Sequence, residues 1–199
     1  MSTVSSLRAF IELFSVLFIG LAIGGFLSWL SIQNNQGFGA LTIGQWTAWP
    51  LAGSINADPY SKAKVAADGD VPLGAAEGLA LHARTDIEGQ KLRRECQYRL
   101  AGQTPPARLW TLSAHETKGQ VLFDAVGQPS HVLSRTLVRG EGGNFEITVG
   151  PQLSSGNWLE TNGDGPYALI LRLYDTPITS TGRITEVDMP TIALTGCQR

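Results

Sequence analysis

No stretch of this sequence gathers basic charge. Lys and Arg number 15 against 17 Asp and Glu, for a formal charge of −2. The densest basic group, Lys91, Arg93 and Arg94, is followed at once by Glu95. A duplex binder needs a clustered cationic face to release phosphate counterions, so no nucleic-acid partner is expected. Metal ligands are equally sparse. The two cysteines, Cys96 and Cys197, form no CxxC pair and have no His at ligand spacing. The three histidines, His82, His115 and His131, include no HxH or HxxxH pair. A site from His82 and His115 with Asp86 or Glu116 would require their strands to be neighbours; strand-end histidines are the commoner case, and neither metal nor cofactor is expected. There is no G-x-S-x-G elbow and no internal repeat. Ser113 and His115 in "LSAHET" would share one face of a regular strand, but without an orienting acid or oxyanion donors they do not make a triad.

What is present first is one long apolar run. Ala9 to Ser31 reads "AFIELFSVLFIGLAIGGFLSWLS", with Glu12 as its single charge. As a helix it would span about 35 Å, enough for a hydrocarbon core of about 30 Å. Trp29 sits where an indole prefers the membrane interface. The core is longer than a signal peptide needs, and the following "FGA" places bulky Phe38 where a cleavage site wants a small residue, so an uncleaved anchor is expected. Arg8 is the only Lys or Arg before the run, and the next is Lys62. The positive-inside rule then keeps residues 1–8 in the cytoplasm, with 9–31 in the bacterial inner membrane, 32–42 as linker and 43–199 in the periplasm. In that oxidising compartment Cys96 and Cys197 would join as one disulfide, two unpaired thiols being the alternative.

The exported part is rich in turns, the chain holding 23 Gly and 10 Pro. "NADPYSKAKVAADG", 56–69, reads as its one helix: Asp58 caps it, Pro59 suits the first turn and Gly69 stops it. Beyond it strand-like runs follow. "LALHART" and "LRRECQYRLAG" are joined by "DIEGQ", and "HVLSRTLVR" and "NFEITVG" by "GEGG", both hairpin signals. "TPPARLWTLSAHE" alternates Leu109, Thr111 and Ser113 against Trp110, Leu112 and Ala114. In 155–177, "SGNWLETNGDGPYALILRLYDTP", the Asn-Gly-Asp-Gly stretch reads as a hairpin turn into a buried central strand. A calcium loop would need more carboxylates and a phosphate cradle a following helix. The pattern favours an all-β, jelly-roll-like antiparallel sandwich with one short helix after a single membrane helix.

The pieces "GQWTAWP", "DPYSKA", "VPLGAAEG", "CQYRL", "TPPARLWTL", "GNWL", "LRLYDTP" and the closing "GC" together resemble the bacterial domain-of-unknown-function 1214 family, from about residue 44 to 197. "ARLWTL" with the late "GNWL…LRLYDTP" is the specific part. The short members with an N-terminal membrane segment are similar to this chain throughout. Longer relatives join the domain to a second module, domain-of-unknown-function 1254. The resemblance implies a jelly-roll-like β domain and brings no catalytic set. The Pro usual after "NWL" is Glu160 here.

The candidate polar site is Arg172, Tyr174 and Asp175, with Trp110 and Trp158 as possible stacking surfaces. A guanidinium in an apolar run needs a partner, an Asp before Thr-Pro commonly shapes a turn, and strand tryptophans are commonly core. The expected role is that of a binding or accessory subunit at the envelope, with an envelope protein or glycan as partner. The alternative is a hydrolase or lyase acting on envelope carbohydrate through two of Glu141, Glu146, Glu160, Asp164 and Asp175.

Overall fold

A computed structural model describes residues 2–34, 39–68, 72–74, 76–117, 119–128, 130–178 and 187–197. The chain divides into two compact units, Met1–Gly37 and Phe38–Arg199.

The described residues of the first unit form one helix, α1, Ser2–Asn34. Within it Phe10–Leu30 is long and apolar enough to cross a membrane. Ser15 hides its hydroxyl by donating to the carbonyl of Ile11 (2.7 Å), as hydroxyls do in an apolar medium.

The described residues of the second unit form ten strands in two sheets. The strands are β1 Leu41–Ile43, β2 Trp46–Ala48, β3 Gly78–Ala83, β4 Cys96–Gly102, β5 Leu109–Glu116, β6 His131–Leu133, β7 Phe145–Gly150, β8 Asn157–Glu160, β9 Tyr167–Tyr174 and β10 Thr191–Cys197. One sheet runs β1-β2-β3-β9-β5-β6 and the other β10-β4-β7-β8. Their inward side chains share one core, including Trp46, Leu81, Leu112 and Leu171 from the first sheet and Tyr98, Leu100, Ile147 and Ile192 from the second. Each aliphatic side chain so buried is worth about 1.5–3 kcal/mol of transfer free energy.

The helix α2, Pro59–Asp68, begins where its cap lies. Asp58 Oδ1 accepts the N–H groups of Tyr60 (2.9 Å) and Ser61 (3.0 Å), and the Ser61 hydroxyl donates to Oδ2. These bonds satisfy helix-end donors that have no intrahelical partner, and they hold the Asp58 carboxyl below its ordinary range, the Ser61 side chain contributing most. Gly69, the expected stop, lies outside the described residues.

Three expectations from sequence are corrected. First, 32–42 is not all linker: α1 continues to Asn34, and Leu41–Ile43 pairs with β2 as an edge strand, with Leu41 opposite Ala48. Second, the sandwich is not wholly antiparallel. β7 and β8 run parallel, Ile147 opposite Asn157, and the short loop 151–156 suffices because β8 is only 4 residues long.

Third, β8 and β9 are not a hairpin. β9 is buried on both faces except at Arg172 and Tyr174, and β3 and β5 occupy its two edges, leaving none for β8. The intervening segment zips onto 92–95 instead: Arg94 N–H donates to Gly165 O (3.0 Å), Thr161 Oγ1 to Arg94 O (3.0 Å) and Tyr167 N–H to Leu92 O (3.1 Å). It is a crossover between sheets. The same holds at "DIEGQ" and "GEGG". Each turn closes locally, through the bridges Thr85–Lys91 and Arg139–Phe145, and then the flanking strands part to opposite sheets.

Candidate functional site

On β5 the alternation sends Trp110, Leu112 and Ala114 into the core and Thr111, Ser113 and His115 to the opposite face. On β9 the inward set is Tyr167, Leu169, Leu171 and Leu173, so Arg172 joins the outward set. Register places Arg172 opposite Thr111 and Ile170 opposite Ser113. The guanidinium therefore reaches one rung along the neighbouring strand. Nη1 lies 3.3 Å from Ser113 Oγ and 3.5 Å from His115 Nε2.

Ser113 Oγ is 2.8 Å from His115 Nε2, and His115 Nδ1 is 2.9 Å from the carbonyl of Gly119. A carbonyl only accepts, so Nδ1 carries a proton, and in the neutral imidazole Nε2 is then the acceptor. The Ser113 hydroxyl then donates to Nε2 and accepts from Arg172. Gly119 is brought into place by the turn after β5, where Glu116 N–H donates to Gln120 O (2.7 Å) and Gly119 N–H to Glu116 O (2.9 Å). The result is a directed chain from guanidinium to hydroxyl to imidazole to carbonyl. Ser113 and His115 are each only 7% exposed, so desolvation strengthens every link. Chemically the chain polarises the Ser113 oxygen and orients a guanidinium. The position an acid takes behind the imidazole of a serine-hydrolase triad is held by a backbone carbonyl.

The residues singled out from sequence do not all converge. Tyr174 ends β9, half-buried, between Gly78 and Leu109. Asp175 is exposed with φ 51°, the one non-glycine with positive φ among the described residues; its N–H donates to Glu77 O (3.0 Å) and its carboxylate lies 3.6 Å from Arg108 Nη1. Trp110 is core, its ring 5.1 Å from that of Phe145, with the Arg139 guanidinium 5.8 Å over it. Trp158 stands in the other sheet and donates to Gly150 O (3.1 Å). The sulfurs of Cys96 and Cys197 are at disulfide distance, and the two residues are partners in the β4–β10 register.

His82 and His115 do not meet, because β9 runs between their strands. His82 instead packs edge-on against Trp49 at 5.3 Å. Among the described residues no group of three or more His, Cys, Asp or Glu side chains could hold a metal ion. Sequence reasoning placed Ser113 and His115 together on one strand face, noted Arg172 apart from them, and missed its connection to the pair. The signal present was the outward polar set Thr111, Ser113, His115 in an otherwise buried strand.

A two-sheet β domain with a buried serine–histidine–arginine chain on one sheet, following a helix apolar enough to cross a membrane, defines the class of this protein. The chain belongs to the family described as Protein of unknown function (DUF1214), whose model matches residues 77–178. That span includes Ser113, His115, Arg172 and Cys96. Among solved structures the VPA0106 protein from Vibrio parahaemolyticus is similar, with TM-score 0.55 and 19% identity over 70% of this chain and 36% of that one. An uncharacterized protein from Burkholderia cenocepacia matches with TM-score 0.44 and 21% identity over 62% of this chain and 31% of its own. The chain thus spans about a third of the length of these neighbours. No curated protein matches the sequence.

Proposed function

We propose that this chain is a single-pass protein of the bacterial inner membrane whose jelly-roll-like domain stands in the periplasm as a binding or accessory subunit of the envelope, rather than as an enzyme. The observation that carries the non-catalytic reading is the employment of the described carboxylates. Glu146 pairs with Arg99 (2.8 Å), Glu116 with Arg94 (3.3 Å) and Glu95 with Arg93. Asp86 and Asp124 accept backbone N–H groups of their own turns, and Glu160 accepts from Ala125 N–H (3.2 Å). Glu141 and Asp164 are exposed, in a 3-10 turn and in the crossover loop. A glycosidase holds two carboxyl groups facing each other across a cleft. Here Glu146, Glu160 and Asp175 are held by arginines or a turn N–H, and Glu141 and Asp164 stand exposed on separate loops, which speaks against the carbohydrate-active alternative.

In this reading the Arg172–Ser113–His115 chain is a polar tie between β5 and β9, its hydroxyl already given to His115 Nε2. Oxidation of Cys96 and Cys197 to a disulfide in that compartment belongs to the same proposal.

The test is a pair of fusions after Arg199. Alkaline phosphatase should be active there and green fluorescent protein dark; the reverse pattern overturns the periplasmic placement. Incubating the purified full chain with labelled envelope glycans should return them at unchanged length. Shortened products that vanish in Glu→Gln variants would establish the hydrolase instead.

A further inference from the structure

We infer that the loop between β2 and α2, residues 49–58, is a lipid-docking element that seats Leu51 and Ile55 in the headgroup region of the bilayer. The inference rests on the proposed membrane span and adds a second contact with the lipid.

Leu51 is 55% exposed and Ile55 91%, although the loop that carries them is tightly built. Successive turns close through Ala52 N–H to Trp49 O (3.0 Å), Ser54 N–H to Leu51 O (2.9 Å) and Ala57 N–H to Ser54 O (3.2 Å). The Ser54 hydroxyl also donates to Leu51 O (2.9 Å), and Lys62 Nζ holds Ile55 O (3.2 Å) from α2. Gly53 is pressed against the Leu73 carbonyl so closely that a Cβ would collide with it. Ala57 is buried beneath. A frayed loop exposes apolar side chains by default. A hydrogen-bonded one that presents two large aliphatics at its surface has already met the ordering cost of an insertion.

Topology fixes which end of the domain this is. β1 and β2 are antiparallel with Leu41 opposite Ala48, so the loop leaves β2 at the end where the chain enters β1. Residues 31–40 are all the chain between the apolar segment Phe10–Leu30 and β1; 31–34 continue α1, so the reach is at most about 27 Å. Over such a tether the effective concentration of lipid surface is in the millimolar range or above, so a weak insertion is occupied. Lipid is therefore the occupant for which the loop is always within reach, and Lys62 stands beside it to meet anionic headgroups.

The test uses the full chain, with Cys96 and Cys197 left oxidised, in vesicles of phosphatidylethanolamine and phosphatidylglycerol. Nitroxide labels are placed at Ile55→Cys and Leu51→Cys, with Leu153→Cys, an exposed site on the loop after β7, as reference. Collision with oxygen relative to a nickel chelate should be several-fold higher at 51 and 55 than at 153. Equal ratios at the three sites in protein that resists carbonate extraction would overturn the docking and leave the anchor standing. Extraction by carbonate would overturn the anchor, and the docking with it. Labels shielded from both reagents in native membranes but open in pure lipid would assign the loop to a protein partner and refute the lipid.

Discussion

Cys96 and Cys197 face each other as register partners across β4 and β10, with Cα atoms 3.9 Å apart. That is closer than the roughly 5.5–6 Å common in disulfides and than the roughly 4.5–5.5 Å of ordinary cross-strand neighbours. β10 is an edge strand and ends at Cys197, so the pair closes the strand at the end where chains usually fray. Replacing Cys197 with Ser should cost about 2–5 kcal/mol in chemical denaturation. Amide exchange should accelerate in β10 before β4 or β7. Non-reducing peptide mapping of protein from its native compartment checks the premise: two freely alkylated thiols would refute it.

The polar chain on β5 and β9 makes a second prediction. Ser113→Ala takes one partner from His115 Nε2 and one from Arg172 Nη1 at a site almost closed to water. The expected loss of stability is about 1–3 kcal/mol, measured by urea unfolding. Ser113→Thr keeps the hydroxyl and should recover most of it. An alanine variant as stable as the parent would mean that the hydroxyl contributes no net bond.

How much of this was legible in the sequence follows from which interactions are local. Asp58-Pro59 announced a helix start because a cap acts within three residues, and the alternation in "CQYRL" and "LWTLSA" announced strand faces because the pleat has period two. "DIEGQ" and "GEGG" announced turns, and turns formed. Which strands pair is decided elsewhere. β9 is apolar on both faces and takes the centre of its sheet, so β8 is turned away to lie parallel beside β7. That outcome depends on competition among distant strands for two edges, and no window of neighbouring residues contains it. The site was hidden for the same reason. Ser113 and His115 are two residues apart, but Arg172 reaches them only through the β5–β9 register.

The cap of α2 gives a pH prediction. Asp58 is held below the ordinary 3.8, first by the Ser61 hydroxyl and next by the Ser61 N–H. A folded pKa below the unfolded one means the stabilisation is fully present above the ordinary value. It is lost as pH falls through the depressed one. The Tyr60 and Ser61 amide resonances should therefore titrate with a midpoint below 3.8. Asp58→Asn, which caps without titrating, should flatten that curve. A midpoint at or above the ordinary value would show that the cap is not formed in solution.

Two neighbouring tyrosines supply the last prediction. Tyr98 and Tyr167 face each other in the core with ring centroids 6.3 Å apart, and both are almost fully buried. Their hydroxyls differ in circumstance. Tyr98 Oη accepts the Arg93 N–H at 2.9 Å, whereas the Tyr167 hydroxyl has no hydrogen-bond partner among the described residues. Burial pushes the Tyr167 phenol well above its ordinary pKa, with Tyr98 adding to the effect, so the group stays neutral throughout the physiological range. A buried hydroxyl without a partner carries a desolvation cost that its removal relieves, while removing a bonded one strands the donor. Tyr167→Phe should thus leave stability unchanged or raise it by about 1 kcal/mol, and Tyr98→Phe should lower it by about 1 kcal/mol. Both are read as midpoint shifts at constant slope in urea. Equal losses in the two variants would show that the Tyr167 hydroxyl is bonded after all, with a buried water as the natural partner.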